Sequence, residues 1–162
     1  MTTSEFVARY GGVYEHSAWV AEEVATEAVA CETTAQIATL MADCVDNAAV
    51  ERQLALIRAH PDLAGKAQLA GELTQDSSTE QSKAGLDQCS SEEYEQFQSL
   101  NDAYHQKFGF PFVMAVRASS RAEILAAFAA RLENDAATEF ETALQEIHQI
   151  AKLRLQAMES RE

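Results

Sequence analysis

Only two prolines and six glycines interrupt the 162 residues of this chain. That scarcity constrains the fold more than any other feature. A β-sandwich or barrel needs a turn roughly every ten residues, and most turns are built on Gly or Pro. The long stretches between breakers are rich in Ala, Glu, Gln and Leu, which lose least on entering a helix. Spacing agrees with composition. Ile37, Leu40, Met41 and Cys44 form one apolar stripe, with Cys44 expected in the core. Val50, Leu54 and Ile57 form another that stops at His60-Pro61. Ser90 with Glu93, and Ser120 with Glu123, read as capping boxes. They open helices carrying Tyr94, Phe97, Leu100 and Tyr104, and Ile124, Leu125 and Phe128. A last long helix places Phe140, Leu144, Ile147, Ala151 and Met158 on one face. The run Phe108–Arg117 resists a helical reading and is expected as an extended, mostly buried connection. The expectation is an all-α fold, a single compact domain over residues 1–162 with roughly seven to nine helices.

Charge narrows the partners. Lys and Arg number 12 against 26 Asp and Glu, a formal net charge of −14. Phosphate-driven nucleic-acid binding and attachment to anionic lipid are therefore not expected. An anionic ligand would need a local basic pocket. Three cysteines without a Cys-x-x-Cys pair argue against a disulfide framework or a thiolate zinc site. They suggest a reducing cytoplasm. No signal peptide, membrane span or Ser-Lys-Leu peroxisomal tail is visible, so a cytoplasmic, bacterial setting is the expectation.

Three features carry chemistry. Pro61 lacks an N–H and drives the preceding residue out of the helical region, so His60 is expected just past a helix end, aimed by a rigid neighbour. An imidazole held this way suits acid–base work, although a helix-terminal histidine also caps carbonyls. His16, His105 and His148 lack such a setting, and no His-x-x-x-His or His-Glu-x-x-His spacing indicates a metal. Ser77 and Glu80 fit a capping box, and a helix start there also offers free N–H groups to a small anion, with Glu80 or Gln81 beside it. Arg154 falls on the apolar stripe of the last helix, where a guanidinium requires an anionic partner. That partner is an internal carboxylate or a ligand carboxylate, and the sequence leaves both open.

Taken together, the motifs resemble one family. They are His60-Pro61-Asp62-Leu63-Ala64-Gly65-Lys66, Ser77-x-x-Glu80-Gln81 with Ala84-Gly85-Leu86, and Tyr104-x-x-Lys107-Phe108-Gly109-Phe110-Pro111-Phe112. Gly12-Val13-Tyr14-Glu15-His16-Ser17 with Trp19, Arg131-Leu132 with Asn134, and Arg154-Leu155 extend the match over almost the whole chain. The pattern is similar to that of the OHCU decarboxylases, OHCU being 2-oxo-4-hydroxy-4-carboxy-5-ureidoimidazoline, an unstable intermediate between urate and allantoin.

The resemblance implies an all-helical, commonly homodimeric carboxy-lyase that needs no cofactor or metal and yields (S)-allantoin. It implies His60 as the catalytic histidine with Glu80 beside it. Substrate contacts would fall on Pro61, on Ser77, Ser78, Thr79, Glu80 and Gln81, on Phe112, Val113, Met114, Ala115 and Val116 largely through backbone groups, and on Arg154. One departure is visible: the family's usual Ser-Pro-Trp reads Ser17-Ala18-Trp19, so a favoured first-turn proline is missing. Two other readings compete, a non-enzymatic acidic helical interaction module and an acid–base enzyme acting on another ureide or hydantoin ring.

Overall fold

The computed structural model describes residues 1–161, which form nine α-helices and one 3-10 turn and contain no strand. The all-α expectation and its helix number both hold. By backbone contacts the chain divides into two compact units, residues 1–59 with 147 onward, and residues 60–146.

The first unit holds α1 (Thr3–Tyr10), α2 (Trp19–Ala28), α3 (Thr34–Asp46), α4 (Val50–Arg58) and the later part of α9 (Ala136–Ser160). Helix α1 packs on α2, and α2 on α3. Two of the starts are further capping boxes with the same spacing, Thr2 with Glu5 and Thr33 with Gln36. The stripe expected on α3 is shifted at its end. Ile37 and Met41 are buried, but the next core position is Val45, four residues on, and Cys44 is only half-buried. Its thiol turns to the Glu23 carboxylate instead. On α4 the buried residues are Gln53, Leu56 and Ile57, whereas Val50 is 62% exposed. Gln53 belongs inside because its amide donates to the carbonyls of Val45 and Asp46 at the end of α3.

The second unit holds α5 (Lys66–Leu69), α6 (Gln75–Lys83), a 3-10 turn (Leu86–Gln88), α7 (Ser91–Phe108), α8 (Arg121–Leu132) and the start of α9. The capping boxes at Ser90 and Ser120 are present as expected. Helix α7 packs against α8. Between them Tyr104, Phe112 and Phe128 form an aromatic cluster, with Phe112 and Phe128 stacked at 3.9 Å and 7°. Residues 110–116 are neither helix nor strand and are mostly buried, so the expected connection is present but shorter than Phe108–Arg117: Phe108 still belongs to α7 and Arg117 lies in an exposed turn.

Candidate active site

Helix α4 ends at Arg58, Ala59 closes it, and His60 follows in a bend, 8% exposed. The loop after it is fixed from several sides. Gln81 on α6 bridges it, its Oε1 accepting from the Ala64 N–H at 2.9 Å and its Nε2 donating to the Asp62 carbonyl at 3.1 Å. From α7, Gln98 donates to the Ala64 carbonyl at 2.7 Å and Asn101 to the Leu63 carbonyl at 3.0 Å. His105 Nε2 lies 2.7 Å from Asp62 Oδ1. These bonds compensate a strained backbone, since Ala64 sits at φ 51°, a left-handed conformation that side chains disfavour. Gly65 is required here, because a Cβ on it would come within 2.8 Å of the Asp62 Cβ. Pro61 therefore leads into a clamped loop, which holds the backbone around His60 in one conformation.

The start of α6 departs from expectation. Thr74, not Ser77, caps the helix, accepting from the Ser77 N–H at 3.2 Å. Ser77 and Glu80 accordingly lie in the first and second turns of the helix, and they form no capping box. The physical reason is that Thr74 fills the cap role three residues earlier. Ser77, Glu80 and Gln81 then share one helix face, with Ser77 and Gln81 buried and Glu80 half-buried. Ser78 is exposed, and Thr79 accepts from the Gln75 amide at 3.2 Å. The segment Ser77–Gln81 is thus split, and the Gln81 amide is already engaged with the His60 loop.

The connection Phe112–Val116 has its own supports. Arg131 donates to the Val113 carbonyl at 2.6 Å and lies over the Phe112 ring, 4.4 Å from its centroid. Glu139, fully buried, accepts from Arg131 Nε at 2.8 Å, from the Tyr104 hydroxyl at 2.7 Å and from Asn134 at 3.0 Å. The Ala115 N–H donates to Glu146 at 3.2 Å, and the Val116 carbonyl accepts from the Ser119 N–H at 3.0 Å. The Phe112 side chain is buried in the core. Met114 and Ala115 are half-buried.

Arg154 lies in the first unit and is 5% exposed. Its Nη1 is 3.6 Å from the buried carboxylate of Glu15 and donates to the Val13 carbonyl at 3.3 Å. Of the two partners the sequence left open, the internal carboxylate is present. The remaining histidine of note, His148, is also satisfied. Its Nδ1 lies 2.8 Å from the Tyr14 hydroxyl and its Nε2 2.9 Å from Asp46. No group of three or more His, Cys, Asp and Glu side chains among the described residues is arranged to hold a metal. No helix of the described residues is long and apolar enough to cross a membrane.

Several residues here were missed from sequence: Gln98 and Asn101, which hold the His60 loop, and Glu139 and Glu146, which support the 112–116 segment. Asn101 and Glu139 carried a usable signal. Each is a polar residue at a buried helical position, the same anomaly that marks Arg154.

Comparison with known proteins adds a third line. The family described as OHCU decarboxylase matches residues 1–156. The 2-oxo-4-hydroxy-4-carboxy-5-ureidoimidazoline decarboxylase of Haloferax volcanii is 45% identical over 93% of this chain and 86% of its own length. A uric acid degradation bifunctional protein of Bacillus subtilis is 39% identical over 96% of this chain, which spans 30% of that protein. Among solved structures, an (S)-allantoin synthase superposes with a TM-score of 0.77 at 34% identity, covering 97% of this chain and 50% of that one. An OHCU decarboxylase crystallised in the presence of (S)-allantoin gives 0.67 at 26% identity, covering 85% and 91%.

Proposed function

This chain belongs to the OHCU decarboxylase family, and from that premise we propose that His60 is its acid–base group in the conversion of OHCU to (S)-allantoin. The protein is a carboxy-lyase of urate degradation that decarboxylates OHCU to allantoin. The observation that carries the residue assignment is the buried His60 on a loop held by Gln81, Gln98 and Asn101.

The chemistry asks for little more than positioned polar groups. When the C–C bond to the carboxylate breaks, its electron pair enters the adjoining C=N and carbonyl system of the ring, carbon dioxide leaves, and a proton must return to one face. The heterocycle is its own electron sink, so we read the reaction as independent of cofactor and metal. His60 moves the proton. Glu80, on the same face of α6 as Ser77, orients the ring or the imidazole. Pro61, Ser77 and backbone groups of Phe112–Val116 hold the flat, amide-rich ligand where charge develops. In this reading Ser78, Thr79 and Gln81 complete the α6 wall of the site, with Gln81 acting through the loop it bridges. Arg154 enters as a residue that holds a substrate carboxylate or ureido oxygen through the family resemblance alone, since within its unit it is engaged by Glu15.

The reading treats residues 1–162 as one OHCU decarboxylase-like domain, supported by a family match that runs unbroken over 1–156. It takes the protein as a homodimer in a bacterial cytoplasm. The dimer rests on the resemblance and is tested by sedimentation. The compartment is supported by the unpaired Cys31, Cys44 and Cys89. The activity is tested by generating OHCU in situ from urate with uricase and hydroxyisourate hydrolase and following circular dichroism. Spontaneous decay gives racemic product, so a growing (S)-allantoin signal that requires this protein supports the assignment. An unchanged racemic course overturns it.

A further inference from the structure

The half-buried Met114 lies between two peptide groups whose outer ends are engaged by side chains of opposite charge. The Val113 carbonyl, which accepts from the Arg131 guanidinium at 2.6 Å, shares a peptide group with the Met114 N–H. The Ala115 N–H, which donates to the Glu146 carboxylate at 3.2 Å, shares the next one with the Met114 carbonyl. A cation at a carbonyl oxygen draws electron density from its own N–H, and an anion at an N–H pushes density toward its own oxygen. Among the described residues, the N–H and C=O of Met114 itself make no hydrogen bond within the protein.

We propose that Arg131 and Glu146 are positioning residues that polarise the two peptide groups flanking Met114, making its N–H a stronger donor and its C=O a stronger acceptor toward the substrate ring. In extended backbone the N–H and C=O of one residue face the same side, as in the paired residues of an antiparallel ladder. Such a pair matches an amide edge, an adjacent N–H and C=O, of an imidazolone or ureide. The strengthened N–H is then available where negative charge develops on the ring as carbon dioxide leaves.

The surrounding structure keeps this arrangement in place. Arg131 is pinned at Nε by the fully buried Glu139, which Tyr104 and Asn134 also hold, and its guanidinium rests on the Phe112 ring. Neither Arg131 nor Glu146 has to touch the ligand, since the effect travels through one peptide group on each side.

The inference rests on the reading that Phe112–Val116 contacts the substrate, and one experiment separates the two. Amide resonances of the unsubstituted protein are followed by NMR during titration with (S)-allantoin, then the titration and steady-state kinetics are repeated with Glu146→Gln and Arg131→Gln. Glu146→Gln keeps an acceptor for the Ala115 N–H and removes only the charge. The expected result is a Met114 amide signal that moves on titration. Affinity for (S)-allantoin falls by about two- to five-fold in each variant, the order expected when the Met114 hydrogen bonds lose a cooperative strengthening of roughly 10–30%. In Arg131→Gln the Met114 amide proton also moves upfield before ligand is added, a local signature that a general loss of packing does not produce. If Arg131→Gln does not fold, Glu146→Gln decides alone. A Met114 signal that ignores (S)-allantoin overturns both the segment's role and this inference. A Met114 signal that responds, with affinity within two-fold of the unsubstituted protein in the folded variants, overturns the inference and leaves the segment's role standing.

Discussion

Gln81 and Ala64 are joined by a 2.9 Å hydrogen bond that fixes the loop leaving His60. The same amide holds the Asp62 carbonyl, so one buried side chain satisfies both a donor and an acceptor of a loop whose residue 64 is left-handed. Replacing it by a residue of similar size without polar atoms orphans both groups. Gln81→Leu is expected to lower unfolding free energy by about 2 kcal/mol or more, read by urea denaturation. It also lowers kcat, because the backbone around His60 relaxes. Unchanged stability would mean that the loop finds its conformation without Gln81.

Arg154 and Glu15 test a different kind of contact. Both are nearly fully buried, so removing one takes an opposite charge from the other where water cannot replace it. Arg154→Met is expected to cost about 3–5 kcal/mol. The double variant Arg154→Met with Glu15→Leu recovers most of that loss in thermal unfolding. If Arg154 also grips the substrate carboxylate, the double variant regains stability and still shows a raised KM for OHCU. Recovery of both would assign Arg154 a purely structural role.

Alkaline pH should weaken the fold in a predictable direction. Burial, with the Asp46 charge next, raises Tyr14 above the usual phenol range, and burial followed by the Glu139 hydrogen bond raises Tyr104. Burial, reinforced by Glu23, pushes the Cys44 thiol up to about 11. In each case the folded state holds its proton longer than the unfolded state. The contribution is therefore complete below the unfolded values, about 8.5 for a thiol and 10 for a phenol, and is lost as pH rises through the folded ones. Denaturation midpoints measured from pH 8 to 11 should fall steadily above pH 9. A flat profile would contradict the buried environments of these groups.

Ala18 offers a stabilising substitution. It precedes α2 at φ −57°, an angle proline already adopts, and it carries no side-chain cap. Ala18→Pro is expected to raise stability by about 0.4–1 kcal/mol through the unfolded state, with activity unchanged. A lower melting temperature would show that the backbone of Ser17 does not accept a following proline.

Much of the fold was legible because local rules governed it. Capping boxes at Ser90 and Ser120 and the scarcity of breakers announced helices, and His60-Pro61 announced where one of them stops. Errors came where long-range contacts decide or where two local patterns compete. Periodicity placed Cys44 in the core because sulfur reads as apolar, whereas Glu23 draws the thiol outward and Val45 takes the position. Ser77 looked like a cap because Thr74, three residues earlier, offers the same hydroxyl chemistry and the spacing suited either. At the site, the histidine was marked by its proline, but its supports were not. Asn101 and Gln98 lie 34 or more residues from the carbonyls they hold, and no local pattern encodes such a pairing.

The central claim is that His60 manages the proton in decarboxylation. His60→Asn keeps the size and hydrogen-bonding character of the side chain and removes its titration near neutral pH. The direct measurement is the coupled conversion of urate in the presence of purified His60→Asn protein, followed by circular dichroism, with folding verified independently. The account predicts a loss of (S)-allantoin formation on the order of 10²–10⁴-fold and a return to racemic product. A folded His60→Asn protein with near-normal rate and enantioselectivity would contradict it.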